Sequence, residues 1–275
     1  MNLPGYPVFR RTVLELTGID LDLYKGTQLE RRLQALLRRV GVPDLVRYAR
    51  MLREDSQRVQ EFRDFLTINV TEFFRNPDKF RELKESILPD LLARSPRLRI
   101  WSAGCSTGAE PYSVAIILDE LGAASRAEIL ASDIDERALD QARLGIYSER
   151  EMKEVDPVRR RRYFVPTGDG WQVVPAIRRR VRFWAMNLLA DPFPEACDLI
   201  LCRNVVIYFS EEAKDQLYRR FRAALKPGGV LFVGGTESLL RARELGFAPI
   251  TPFFYRAIPG EPPGAGVGAG VTKGR

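Results

Sequence analysis

The spacing of apolar residues divides the chain into two parts. From Leu29 to Val40 the apolar positions are Leu29, Leu33, Leu36, Leu37 and Val40, which is one face of a helix. Arg31, Arg32, Arg38 and Arg39 read as a basic stripe on the opposite side. Pro43-Asp44 then signals the start of a helix carrying Leu45, Tyr48 and Leu52, and another runs from about Ser56 through Phe62 and Leu66. Residues 1–75 are therefore expected to form a small all-helical domain with a positive face.

The pattern changes at Asn76-Pro77, an N-cap with proline at the first helical position, which opens a helix running to Leu92. Short apolar runs then alternate with helical stretches. LRIWSAG (98–104), EILASDID (128–135), VRFWAMNL (181–188), DLILCRN (198–204) and GVLFVGGTE (229–237) read as buried strands. Helices are expected at about 110–121, 135–143 and 211–225, the last opening on Ser210-Glu211-Glu212 with acids in its first turn. Alternation of this kind gives an α/β fold, a parallel sheet with helices on both faces. Residues 145–180 interrupt it with two β-rich runs around Thr167-Gly168-Asp169-Gly170, an inserted antiparallel hairpin or subdomain. Residues 259–275 are rich in Pro and Gly and poor in apolar bulk, so they are expected to be a disordered tail. The main domain spans 76–258.

A length of 275 residues fits one large domain or two smaller ones, and either can bury a core. It has no apolar run of transmembrane length and no apolar leader at its start, so a cytoplasmic location is expected. Cys105, Cys197 and Cys202 are too few and too scattered for a disulfide framework or a zinc site, and no metal is expected. Histidine is absent, which excludes Ser-His-Asp and Cys-His hydrolases and imidazole metal sites. The net charge of +7, mostly arginine, suggests an anionic partner or merely arginine-rich solvated faces.

Four stretches carry candidate chemistry. Ala103-Gly104-Cys105-Ser106-Thr107-Gly108-Ala109-Glu110 joins a strand to a helix through glycines that let main-chain N–H groups approach a ligand. It is neither G-x-G-x-x-G nor a phosphate loop. Asp133 ends the next strand, where an acid accepts hydrogen bonds from ribose hydroxyls, while Asp135 caps the following helix. Together they describe a nucleoside pocket without a pyrophosphate cradle, which fits S-adenosylmethionine better than NAD. Arg203-Asn204 ends the fourth strand beside the switch point of the sheet, where an Arg is costly unless paired or turned to solvent; Tyr208 follows as a site residue or a core aromatic. The stretch from Thr67 to Asn76 is polar and aromatic at the junction of the two halves, where clefts form.

These motifs in order, N-x-T-x-F-F-R, W-S-A-G-C-S-T-G-x-E-P-Y-S, A-S-D-I-D, N-L and C-R-N-V-x-I-Y-F, resemble the chemotaxis receptor glutamate methyltransferase family, CheR, over about residues 9 to 257. The resemblance implies a Rossmann-like S-adenosylmethionine-dependent methyltransferase sheet with an N-terminal all-helical receptor-docking domain and a small inserted β-subdomain. It implies cofactor contacts from Asn69, Thr71, Arg75, Gly104, Glu110, Asp133, Asn187, Leu188, Arg203 and Asn204, with Arg75 and Tyr208 flanking the transferred methyl. It further implies a cytoplasmic monomer recruited to receptor arrays. Its substrates would be glutamates on Glu-rich helices of methyl-accepting chemotaxis receptors, docked through Arg31, Arg32, Arg38 and Arg39. Two stretches depart from the family pattern. Gly234-Gly235-Thr236-Glu237 stands where relatives often carry Gly-His-Ser-Glu, and the loop around Thr167–Trp171 is shorter than in some relatives. Two rival readings are a catalytically weak S-adenosylmethionine-binding signalling scaffold and a nucleic-acid methyltransferase. The second conflicts with Cys202-Arg203-Asn204-Val205 where base-modifying enzymes usually carry D/N-P-P-Y/F.

Overall fold

In a computed structural model, residues 3–67, 71–168 and 170–260 are described. The helical half comprises α1 (Tyr6–Thr17), α2 (Gly26–Val40), α3 (Leu45–Glu54) and α4 (Ser56–Leu66). The periodicity sets its core. Leu29, Leu33 and Leu36 of α2 are buried with Phe9, Tyr48, Leu52 and Phe62, and the Phe62 ring meets Phe9 edge-on at 5.4 Å. Asp44 starts α3 by accepting the Arg47 N–H at 2.8 Å, and Asp55 does the same for α4 from Gln57 at 2.8 Å. The Asp55 N–H also donates to Met51 O at 3.1 Å, so this one residue closes α3 and opens α4 and the two helices share almost no linker.

The second half opens on a helix in three pieces, α5 (Pro77–Glu82), a π-helical turn (Leu83–Ile87) and α6 (Leu88–Arg94). The expected single helix is thus unbroken along the chain but carries a π-helical bulge. Pro89 has no N–H to give to Glu85 and its ring crowds that carbonyl, so the ladder slips there and Leu88 N–H reaches back to Leu83. The strands are β1 (Leu98–Ala103), β2 (Ala127–Asp133), β3 (Ile146–Tyr147), β4 (Phe164–Thr167), β5 (Gly170–Val173), β6 (Val181–Ala185), β7 (Cys197–Cys202), β8 (Leu225–Val233), β9 (Phe247–Thr251) and β10 (Phe254–Ala257). Between them lie α7 (Ala109–Glu120), α8 (Glu136–Leu144), α9 (Pro157–Tyr163), α10 (Pro175–Arg178) and α11 (Glu211–Ala224). The main sheet has the order β6-β2-β1-β7-β8-β10-β9. Strands β6, β2, β1, β7 and β8 are parallel, and the β9–β10 hairpin closes the edge antiparallel. That hairpin is absent from the pattern-based expectation, and β8 ends at Val233, before Gly234–Glu237.

The chain runs outward from β1 to β2 and β6, then crosses back to place β7 on the other side of β1. The carboxyl ends of β1 and β7 therefore form the switch point at which open α/β sheets leave a crevice. The inserted subdomain is a three-stranded antiparallel sheet, β3-β5-β4. Phe73 wedges between it and the main domain, edge-on to Tyr147 at 4.7 Å and to Phe164 at 5.0 Å. Phe73 and Phe74 thus pack in the core of the second half, whereas Leu66 packs in the core of the first.

Candidate functional site

A cavity of about 320 Å³ opens over the carboxyl ends of β1 and β7. Its floor begins with the turn after β1. Gly104 has φ +81°, and a Cβ there would lie 2.4 Å from Val205 Cγ2, so only glycine lets the two loops meet. Gly108 opens α7 with φ +88°, and a Cβ there would lie 2.9 Å from the Ala142 methyl. Between them Ser106 has a left-handed backbone (φ +49°) and donates its N–H to Asp133 Oδ2 at 2.7 Å. The other carboxylate oxygen of Asp133 accepts the Asp135 N–H at 3.0 Å. Burial pushes the Asp133 pKa up, against the pull of these N–H groups. Asp135 turns away to cap α8, accepting from Arg137 N–H at 3.0 Å and Ala138 N–H at 3.1 Å. Asp135 is thus the helix cap that the sequence suggests, while Asp133 lines the cavity.

The wall between β1 and β7 is ionic. The Arg203 side chain is 3% exposed and gives Nη1 to Glu110 Oε2 at 3.3 Å. Its Nη2 donates to Arg75 O and to Asn76 Oδ1, both at 2.7 Å. Glu110 also accepts the Ser102 hydroxyl at 2.8 Å, and the Arg203 guanidinium lies 4.5 Å from the centre of the Phe232 ring. Arg203 therefore does not escape to solvent. It ties β7, α7 and the junction together.

The loop after β7 forms the far side. Asn204 has φ +61°, and its N–H donates to Glu237 Oε2 at 2.6 Å. Gly234 N–H donates to the same oxygen at 2.8 Å. Glu237 is buried, and burial raises its pKa. Tyr208, further along, is also raised by burial, with the Arg32 and Arg75 charges opposing, so its phenol is neutral near pH 7. The thiols of Cys105 and Cys202 are pushed up by burial too and offer no thiolate.

The helical half supplies the roof, through Tyr24, Leu66 and Thr67. Lys25 N–H donates to Tyr208 O at 2.9 Å, Ser210 N–H to Leu23 O at 2.8 Å, and Asn187 Nδ2 to Gly18 O at 3.1 Å. Thr67 Oγ1 donates to Asp135 Oδ2 at 3.0 Å, and Arg137 pairs with Asp64 at 2.7 Å.

Thr71, Arg75, Gly104, Glu110, Asp133, Asn187, Leu188, Arg203, Asn204 and Tyr208 all line this one cavity. Asn69 lies outside the described residues. Glu72, Ile134, Met186 and Phe209, which lie within the stretches read above but carry no expected role there, also line it, and Tyr24, outside every motif, is brought there only by the tertiary fold. Arg31, Arg38 and Arg39 are exposed along α2. Arg32 is a correction to the expected stripe. It is half-buried, donates to Leu66 O at 3.2 Å and to Phe65 O, and stacks 4.8 Å from the Phe65 ring centre, satisfying the last carbonyls of α4.

A buried acid at the end of the second strand, a glycine cradle that a Cβ would fill, and apolar walls from Ile134, Met186 and Leu188 fit the nucleoside of a methyltransferase cofactor in shape and chemistry. Residues 69–251 match the family model "CheR methyltransferase, SAM binding domain", and residues 5–67 match "CheR methyltransferase, all-alpha domain". The chain is 39% identical over 251 residues to a chemotaxis protein methyltransferase of Listeria innocua, covering 91% of this chain and 96% of that one. It is 38% identical over 243 residues to the one of Escherichia coli K12, covering 84% of each. Among solved structures, the CMeT domain of the citrinin polyketide synthase overlaps 56% of this chain and 34% of that one, at 20% identity and a TM-score of 0.37. The chain belongs to the CheR methyltransferase family, and its cofactor is S-adenosylmethionine.

Proposed function

We propose that the protein transfers the methyl group of S-adenosylmethionine to glutamate side-chain carboxylates of methyl-accepting chemotaxis receptors. The products are glutamate methyl esters and S-adenosylhomocysteine, and the purpose is sensory adaptation at receptor arrays on the cytoplasmic side of the membrane. The observation that carries this reading is the pairing of a cation, Arg75, with a neutral phenol, Tyr208, on the wall of a cofactor cavity in a chain without histidine. Bound S-adenosylmethionine supplies an electrophilic methyl group. A glutamate carboxylate, with a reference pKa of about 4.3, is already ionised at neutral pH, so no residue has to remove a proton. The protein's task is then to position and desolvate. Arg75 orients the incoming carboxylate, and Tyr208 lines the transfer site. Asp133 and the Gly104 turn take the nucleoside, Asn187-Leu188 flank it, and Glu110 with Arg203-Asn204 shapes the wall.

The test is transfer of labelled methyl from S-adenosylmethionine into receptor-rich membranes, scored by release of label in mild base, as esters require. Arg75→Ala and Tyr208→Phe should each slow single turnover at saturating cofactor by roughly tenfold or more. Wild-type rates in both would remove them from the reaction. Base-stable label would point to another acceptor, and no transfer at all to a scaffold.

Arg31, Arg38 and Arg39 are the docking face for the acidic receptor helices. Charge reversal at Arg31 and Arg38 should lower receptor methylation several-fold at low salt and flatten its salt dependence, with affinity for S-adenosylhomocysteine unchanged. Methylation kinetics across an ionic-strength series check this. Arg32 is left out of that variant because its replacement would loosen α4.

A further inference from the structure

Tyr24 follows a short 3₁₀ turn, Leu21–Leu23, in the helical half, far in sequence from every motif of the cofactor domain. Its backbone is clamped on both sides to the loop after β7, by Lys25 N–H on Tyr208 O and Ser210 N–H on Leu23 O. Its ring packs edge-on against Phe209, with centroids 5.4 Å apart. The side chain is thus held in place by main chain and by ring packing, and its hydroxyl takes no part in holding it. That hydroxyl has no hydrogen-bond partner among the described residues. It belongs to a side chain that lines the cavity alongside Asp133 and Ile134. Burial, aided by the Asp133 charge and opposed by Arg32, pushes the phenol up to about 12, so it is neutral and keeps its proton to donate. Asp133, by contrast, only accepts while it is ionised. The Tyr24 side chain is partly buried, and a phenol at such a place normally finds a partner for its O–H.

We infer that Tyr24 is a cofactor-binding residue contributed by the helical domain, its hydroxyl hydrogen-bonding the ribose of the cofactor beside Asp133. The helical half is then part of the cofactor site as well as the part that meets the protein substrate. The inference rests on the cofactor and is independent of which group accepts the methyl.

The experiment is titration calorimetry of the full chain with S-adenosylhomocysteine and with its 2′-deoxy and 3′-deoxy analogues, alongside thermal melts. Tyr24→Phe keeps the ring against Phe209 and removes only the hydroxyl. It should weaken S-adenosylhomocysteine binding about fivefold to tenfold, the loss of one neutral hydrogen bond, with an unchanged melting temperature. For the analogue lacking the hydroxyl that Tyr24 contacts, wild type and Tyr24→Phe should bind equally. Wild-type affinity in Tyr24→Phe would overturn the inference. So would a loss that is the same for all three ligands, or one that tracks a lowered melting temperature, either of which would make Tyr24 a packing residue of the seam.

Discussion

Arg203→Ala is expected to cost about 3–5 kcal/mol of folding stability and to abolish measurable binding of S-adenosylhomocysteine. The guanidinium is buried among Glu110, the Arg75 carbonyl and the Asn76 side chain, with the Phe232 ring against its face. Its removal leaves the Glu110 carboxylate with only the Ser102 hydroxyl, and leaves the Arg75 carbonyl and Asn76 Oδ1 without that donor. The penalty for uncompensated burial exceeds what the intact pair contributes, which is why truncation is severe even though buried ion pairs add little net stability. Asn76 sits at φ +64° at the head of α5, so release of its side chain also frees a strained corner next to the cavity. Arg203→Lys keeps the charge but cannot reach two acceptors with a planar fork, and should fall between wild type and Arg203→Ala. Denaturant titration and calorimetry on the same samples check both effects. A loss below about 1 kcal/mol would mean that water replaces the guanidinium without penalty.

The parts of this protein that are legible in the sequence are those whose causes are local. Leu29, Leu33 and Leu36 mark the buried face of α2, Asp44 marks the start of α3, and the strand-turn-helix passage through Gly104 and Gly108 marks the cavity floor. Asp133 and Asp135 could be told apart because a strand-end acid and a helix cap occupy different backbone positions. Arg32 misled for a geometric reason. It lies three residues after Leu29 and four before Leu36, at the margin of the apolar face, and its partners are carbonyls of α4 that no helical pattern reveals. The β9–β10 hairpin is equally hidden. Its strands are short, Pro249 interrupts the first, and the turn between them uses Phe253 at φ +81°. Tyr24 and Glu237 escape a sequence reading because what they meet lies on other elements. The helical half delivers one, and one carboxylate oxygen of the other accepts main-chain N–H groups that carry no residue signature.

Glu237→Ala is the second substitution expected to have a large effect, although it lies in the stretch that departs from the family pattern. Glu237 Oε2 takes the N–H groups of Asn204 and Gly234, and the N–H groups of Val205 and Val206 also favour its charged form. Alanine would leave two buried donors unpaired, at about 1–3 kcal/mol each, and would release the loop that carries Asn204 and Tyr208 into the cavity. A loss of roughly 3 kcal/mol or more, together with weakened cofactor binding, is the expected result. Glu237→Gln separates shape from charge. Its amide oxygen can take both N–H groups, and its NH₂ falls where Oε1 is buried without a partner among the described residues. It should therefore fold within about 1 kcal/mol of wild type at pH 8. The pH dependence follows from the raised pKa of the buried carboxyl. Between the unfolded value of about 4.3 and the raised native value, the native state holds a proton that the unfolded chain has lost. Glu237's contribution is then complete below the unfolded value and declines as pH rises through the native one. The stability of wild type relative to Glu237→Gln should consequently be greater at pH 5 than at pH 8. Acid-labile pairs such as Glu120 with Arg159 are common to both proteins and cancel in this difference. Denaturant titrations of the two proteins at both pH values measure it, and a difference that grows with rising pH would show that the carboxylate is stabilised in its charged form by the loop it holds.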